Sequence, residues 1–63
     1  MNATDLIDAA FGPIMMNDLE KFKAVVGDTR LDDDVIEALL IGAREFESKS
    51  IIDYLNGIKD SRN

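Results

Sequence analysis

The stretch from Leu31 to Phe46 constrains the fold more than any other part of the chain. Apolar residues recur along it at the spacing of one helix face. These residues are Val35, Ile36, Leu39, Leu40, Ala43 and Phe46. Three aspartates precede the stripe, where a helix dipole favours negative charge. Asp34 followed by Glu37 has the spacing of a capping box, with Asp replacing the usual Ser or Thr. We therefore predict a helix over residues 33–46, with the other segments packed on it.

Three further segments show helical periodicity, over residues 4–11, 17–26 and 49–57. Thr4 is placed to cap the first of them. Phe11-Gly12-Pro13 should end that helix, because proline cannot continue the hydrogen-bond ladder. Asn17 and Glu20 have capping-box spacing at the start of the second helix. Gly27 suits the left-handed position at its end.

The boundary between the third and fourth helices is open in the sequence. Ser48 can cap a new helix, and Asn56-Gly57 would end it. No glycine or proline occupies positions 47–50, so one helix from Asp33 to Asn56 is the alternative. The prediction is an all-α protein, a small bundle of about four short helices arranged as two helix-turn-helix pairs. Residues 1–63 form a single domain.

The short length of the chain limits how it can be stabilised. It has 63 residues and neither cysteine nor histidine, so no disulfide or zinc site can staple it. A domain of this size buries only about 60% of its unfolded surface. We expect a homodimer, because five large apolar side chains cannot all be buried easily in one chain. They are Phe11, Met15, Met16, Phe46 and Tyr54.

Catalysis and cofactor binding are not expected. Without histidine or cysteine, the general bases and nucleophiles reduce to carboxylates, lysines, Tyr54 and hydroxyls that have no evident partner base. The four glycines are isolated, so no phosphate-binding loop is present. The acidic cluster of Asp28 and Asp32 to Asp34 lacks the EF-hand spacing. We predict a protein that is not an enzyme and has no cofactor or metal.

Acidic residues outnumber basic ones by 13 to 7, which gives a net charge of −6. Such a surface repels nucleic acid and anionic membranes and attracts basic partners. Charge that serves only solubility is the plain interpretation. The alternative is that a row of carboxylates imitates phosphates and occupies a groove of a basic protein. The acidic residues predicted to bind are Asp18, Glu20, Asp32, Asp33, Asp34 and Glu37.

Phe11, Met15 and Met16 are the predicted apolar anchors of that interface, since methionine adapts to irregular partner surfaces. The alternative is that they close the end of a small core. We expect a small inhibitor or modulator that binds a basic protein surface, of the kind that phages and mobile elements encode. The competing interpretation is a self-associating structural module.

The N-terminus lacks the early basic residues of a signal peptide, and no apolar run could span a membrane, so a cytoplasmic location is expected.

Two segments repeat a pattern in the second helix of each predicted pair. They are Leu19-Glu20-Lys21-Phe22-Lys23 and Ile51-Ile52-Asp53-Tyr54-Leu55. The pattern resembles the second helix of ankyrin repeats, although the Thr-Pro-Leu-His opening of that family is missing. The resemblance implies a scaffold fragment that binds proteins rather than catalysing a reaction.

Overall fold

The computed structural model describes residues 2–27 and 29–61, which form four α-helices and no strand. Helix α1 spans Ala3–Met16, α2 spans Leu19–Val26, α3 spans Asp33–Glu45 and α4 spans Lys49–Ser61. Helix α1 packs against α2 and α3, and α3 packs against α4, while α2 and α4 touch over a smaller area. Because short turns join α1 to α2 and α3 to α4, the fold is two helical hairpins side by side. The predicted all-α bundle of two helix pairs is confirmed.

One hydrophobic core lies between the two hairpins. All four helices contribute to it, and so does the connection between α2 and α3. The buried apolar residues are Leu6, Ala10, Ile14, Phe22, Val26, Leu31, Ile36, Leu39, Leu40, Ala43, Ile51 and Leu55. The predicted core face of α3 is confirmed at Ile36, Leu39, Leu40 and Ala43. The burial of Leu31, which closes the core beneath the connection, was not predicted from the sequence.

Helix α1 is longer than predicted, because it continues through Gly12 and Pro13 to Met16. The prediction that Phe11-Gly12-Pro13 ends this helix is therefore wrong. Pro13 cannot donate to the carbonyl of Ala9, but Ala9 is exposed, so water can satisfy that oxygen. Continuing the helix buries Ile14 in the core, which offsets the cost of the proline. At the other end Asn2, not Thr4, is the cap, and its side chain accepts a hydrogen bond from the backbone N–H of Asp5 at 2.9 Å.

Helix α1 ends at Met16. The next residue, Asn17, adopts the left-handed conformation with φ 50°. The N–H of Asn17 donates to Ile14 at 3.1 Å, and the N–H of Asp18 donates to Pro13 at 2.9 Å. This pair of bonds is a Schellman motif. The prediction that Asn17 begins and caps α2 is therefore wrong. Asp18 caps α2 instead, and its side chain accepts from the backbone N–H of Lys21 at 3.1 Å.

The same turn ends α3. Glu47 has φ 54°, its N–H donates to Arg44 at 3.1 Å, and the N–H of Ser48 donates to Ala43 at 2.8 Å. The alternative of one helix from residue 33 to residue 56 is therefore excluded. Helix α4 then continues through Gly57 to Ser61, so the predicted end at Asn56-Gly57 is wrong. The next turn is kept because Ile58 packs against the core.

The predicted ends of α2 and α3 can also be compared with the structure. Helix α3 begins after Asp32, whose side chain makes no capping hydrogen bond. The predicted capping box of Asp34 and Glu37 is wrong, because the Glu37 carboxylate pairs with Lys59 of α4. Gly27 follows α2 with the expected positive φ of 49°, but its ψ of −132° lies outside the left-handed helical conformation that was predicted.

Candidate protein-binding surface

Two aromatic rings meet on the surface at the seam between α1 and α3. Phe11 is 48% exposed and Phe46 is 39% exposed. Their ring centroids lie 5.4 Å apart at an interplanar angle of 89°, an edge-to-face arrangement. The same two helices also meet at Gly42, where an added Cβ atom would lie 3.9 Å from Cδ1 of Ile14, an ordinary van der Waals distance. The contact between α1 and α3 therefore extends to the protein surface through this pair of rings.

Met15 extends this exposed surface along α1. It is 53% exposed and lies one turn after Phe11, on the same helix face. We call Phe11, Met15 and Phe46 the aromatic patch. Met16 is also exposed, but it lies about 100° around the helix from Met15. The three predicted anchors are therefore all exposed, while only Phe11 and Met15 share a face.

Phe46 is not among the predicted partner-binding residues, although it is one of the five apolar side chains on which the predicted homodimer rests. Ile41, also on α3, is 67% exposed and was interpreted neither as core nor as a site. It precedes Phe46 by five residues and therefore lies about 140° around the helix from it. Ile41 is thus an exposed apolar side chain outside the aromatic patch.

The predicted row of acidic residues is divided between the two ends of the bundle. Asp32, Asp33 and Asp34 stand at the start of α3, about 20 Å along the helix from Phe46. Asp18 and Glu20 stand at the start of α2, directly after α1 and hence on the side of the aromatic patch. The carboxylates that are close in sequence are therefore not one continuous surface in the fold.

Glu37, the last of the predicted acidic residues, already has a partner. Its carboxylate accepts a hydrogen bond from the ammonium group of Lys59, which links α3 to α4. That hydrogen bond and the charge of Lys59 lower the pKa of Glu37 below its ordinary value. About half of each side chain is exposed, so water screens the pair. A binding partner would have to compete with Lys59 for this carboxylate.

Three other carboxylates lie close in sequence to the aromatic patch. Asp8 precedes Phe11 by three residues on the same side of α1, and Glu45 and Glu47 flank Phe46. We call Asp8, Glu45 and Glu47 the acidic rim. All three are exposed, and within residues 2–27 and 29–61 none of them forms an ion pair. These single acids gave no sequence signal, because the chain segments that carry them are linked only by the packing of α1 on α3 and the contact of Phe11 with Phe46.

Two basic residues, Arg44 and Lys49, are close in sequence to the acidic rim. Arg44 precedes Glu45, and its charge acts on Glu37, toward the α4 side of α3. Lys49 begins α4 and is exposed.

Over the part of the chain that the structure describes, there is no ligand-sized cavity and no group of three or more side chains suited to hold a metal ion. None of the helices described is long and apolar enough to cross a membrane.

Neither a protein-family model nor a curated protein nor a solved structure matches the chain. The two segments that resemble ankyrin repeats lie in α2 and α4, the second helix of each hairpin. The resemblance itself stays a prediction.

Proposed function

We propose that this protein is a non-enzymatic inhibitor or modulator, which binds a basic surface of a larger protein in a stoichiometric complex. The aromatic patch is the observation that carries the proposal. A chain of 63 residues depends on nearly all of its apolar groups for stability. This chain leaves the contacting rings of Phe11 and Phe46, and Met15 one turn from Phe11, between 39% and 53% exposed. Exposed apolar patches with polar borders are typical of protein interaction sites, and aromatic residues and methionine are enriched at interface cores.

The charge of the chain supports a basic partner. The residues of the acidic rim are within three positions of Phe11 or Phe46 in the sequence, and the whole chain has a net charge of −6. Opposite charge mainly accelerates the encounter and selects the partner, whereas a buried apolar contact slows dissociation. In this proposal Asp18, Glu20 and the three aspartates at residues 32–34 provide attraction at a distance from the anchor. Glu37 contributes least, because Lys59 already offsets its charge.

The dimensions of the molecule fit a single large contact. The bundle measures 28 × 23 × 18 Å. A standard protein interface takes about 800 Å² from each partner, which is comparable to the broadest face of this bundle. One partner that is centred on the aromatic patch would therefore cover the patch, the acidic rim and much of the face around them.

Self-association is the competing function, and the predicted homodimer belongs to it. The aromatic patch is apolar enough to contact a second copy of itself. In a two-fold dimer centred on the patch, however, both acidic rims would belong to the same interface, which concentrates negative charge there. Like charges placed opposite each other cost free energy. The balance of charge therefore favours a basic partner over a second copy.

The test is a comparison of three immobilised proteins in a cell lysate at physiological salt. They are the wild type, the double variant Phe11→Ser with Met15→Ser, and the control Ile41→Ser, which removes a more exposed apolar side chain outside the patch. We expect a partner that the wild type and the control retain, that the double variant loses, and that elutes with salt. The same retained proteins on all three would refute the proposal. A dimer in sedimentation equilibrium that only the double variant disrupts would establish self-association instead.

A further inference from the structure

We propose that the aromatic patch receives an arginine side chain of the partner. The guanidinium group stacks on the ring of Phe11 or Phe46 and forms hydrogen bonds with a carboxylate of the acidic rim. This inference rests on the proposed binding function and specifies the chemistry of the partner at that same surface.

The geometry of the two rings leaves aromatic faces accessible. In an edge-to-face pair the edge of one ring points at a face of the other, so the remaining faces stay uncovered by the pair. Phe11 and Phe46 are 48% and 39% exposed, in keeping with this arrangement. The face of an aromatic ring attracts a cation that lies within about 6 Å of its centroid. The patch therefore offers a cation-binding surface at its centre.

Another aromatic site of this chain already holds a cation. The ammonium group of Lys23 lies 5.4 Å from the centroid of the Tyr54 ring, and Phe22 contacts Tyr54 edge-to-face at 6.0 Å. Within the part of the chain that the structure describes, no lysine or arginine lies over Phe11 or Phe46 in this way. The aromatic patch thus has the same kind of ring pair without a cation from its own chain.

The acidic rim selects arginine over lysine. Glu45 and Glu47 are the sequence neighbours of Phe46, and Asp8 is one turn from Phe11, so each ring has an exposed carboxylate within one helical turn along its own chain segment. A guanidinium group is planar, stacks on rings and can donate two parallel hydrogen bonds to one carboxylate. An ammonium group is a compact, strongly hydrated charge and cannot stack. Lysine can place its charge over a ring, as Lys23 does on Tyr54, but arginine can lie flat on the ring and donate two hydrogen bonds to one carboxylate.

The experiment compares two short amphipathic peptides of equal sequence, one with three arginines and one with three lysines, by NMR titration of isotope-labelled protein. We expect the arginine peptide to bind about two-fold to five-fold more tightly, the range that a cation–π contact at an exposed site gives. The amide shifts should concentrate at residues 8–16 and 44–48. Phe11→Leu with Phe46→Leu keeps apolar volume but removes the rings, so it should make the two affinities equal. Ile41→Leu, the matched control, should keep the preference.

Equal affinities of the two peptides for the wild type would overturn the inference. So would a preference for arginine that survives Phe11→Leu with Phe46→Leu, or shifts spread evenly over all acidic positions. The amide spectrum of the double leucine variant shows whether it is folded. If it is unfolded, the single variant Phe11→Leu replaces it in the comparison. Failure here leaves the proposed function intact if the lysate partner is still lost with Phe11→Ser and Met15→Ser. If the lysate comparison also shows no partner, both proposals fail.

Discussion

The hydroxyl of Ser48 donates a hydrogen bond to the backbone carbonyl of Ile14, which connects the turn before α4 to the last part of α1. Ser48 is completely buried, and the same carbonyl also accepts the N–H of Asn17. Ser48 was predicted as a helix cap. Its place before α4 is as expected, but its hydroxyl joins the two hairpins. The bond therefore holds together the two chain segments that carry Phe11 and Phe46.

Ser48→Ala should lower the free energy of unfolding by about 1 kcal/mol, the usual contribution of one hydrogen bond. The loss stays moderate because the Ile14 carbonyl keeps the N–H of Asn17 as a partner. Urea denaturation measures the change. Ser50→Ala is the control, since Ser50 is exposed and should change stability by less than about 0.5 kcal/mol. Equal effects of the two substitutions would show that the Ser48 bond contributes nothing.

Glu47→Gly should stabilise the protein by about 0.5–1 kcal/mol. A left-handed conformation costs an ordinary residue about 1–2 kcal/mol, and the added freedom of glycine in the unfolded chain cancels part of the gain. Asn17→Gly should give a smaller gain, because asparagine tolerates this conformation better. The midpoint of urea unfolding reports both. A lower midpoint for Glu47→Gly would mean that the glutamate side chain itself stabilises the turn.

Leu39→Ala should destabilise the bundle by about 2–5 kcal/mol, because Leu39 is 1% exposed and its truncation leaves a cavity. In so small a domain that loss can remove most of the helical signal in far-UV circular dichroism. Ile41→Ala is the matched control on the same helix, and with 67% exposure it should cost less than about 0.5 kcal/mol. A small effect at Leu39 would contradict the central position of α3.

The pair of Glu37 and Lys59 should make a small, salt-sensitive contribution that depends on pH. Because Lys59 lowers the folded-state pKa of Glu37, the contribution is complete above the ordinary pKa that glutamate has in the unfolded chain. It is lost as the pH falls through the folded-state value. The melting temperatures of the wild type and Glu37→Gln should therefore differ at neutral pH and converge in acid. A difference that persists in acid or in high salt would show that the effect is not electrostatic.

The sequence predicted the helices where apolar periodicity was strong, and it failed where tertiary contacts override local signals. Pro13 stops an isolated helix, but the burial of Ile14 keeps α1 helical past it. The end of α3 could not be located from a glycine, because Glu47 occupies the left-handed position there. Neither outcome can be read from local propensity, since each depends on residues that are distant in sequence.

The candidate site was predicted only in part for the same reason. Exposure of Phe11 and Met15 is as expected for predicted binding residues, whereas Phe46 and the acidic rim were missed. Grouping the acids of residues 18–37 by sequence proximity was misleading, since α2 and α3 begin at opposite ends of the bundle. Phe46 joins Phe11 only because α1 packs on α3.

The most direct test of the proposed binding surface is the affinity of the purified partner for variants at the two ends of the molecule. One variant is Phe11→Ser with Met15→Ser, and the other reverses Asp32, Asp33 and Asp34 to Lys. We expect the patch variant to lose at least about 30-fold in affinity, mainly through faster dissociation, as loss of an interface hot spot does. The triple reversal should mainly slow association and flatten the salt dependence. Unchanged affinity of a folded patch variant would contradict the claim that the partner binds at the aromatic patch.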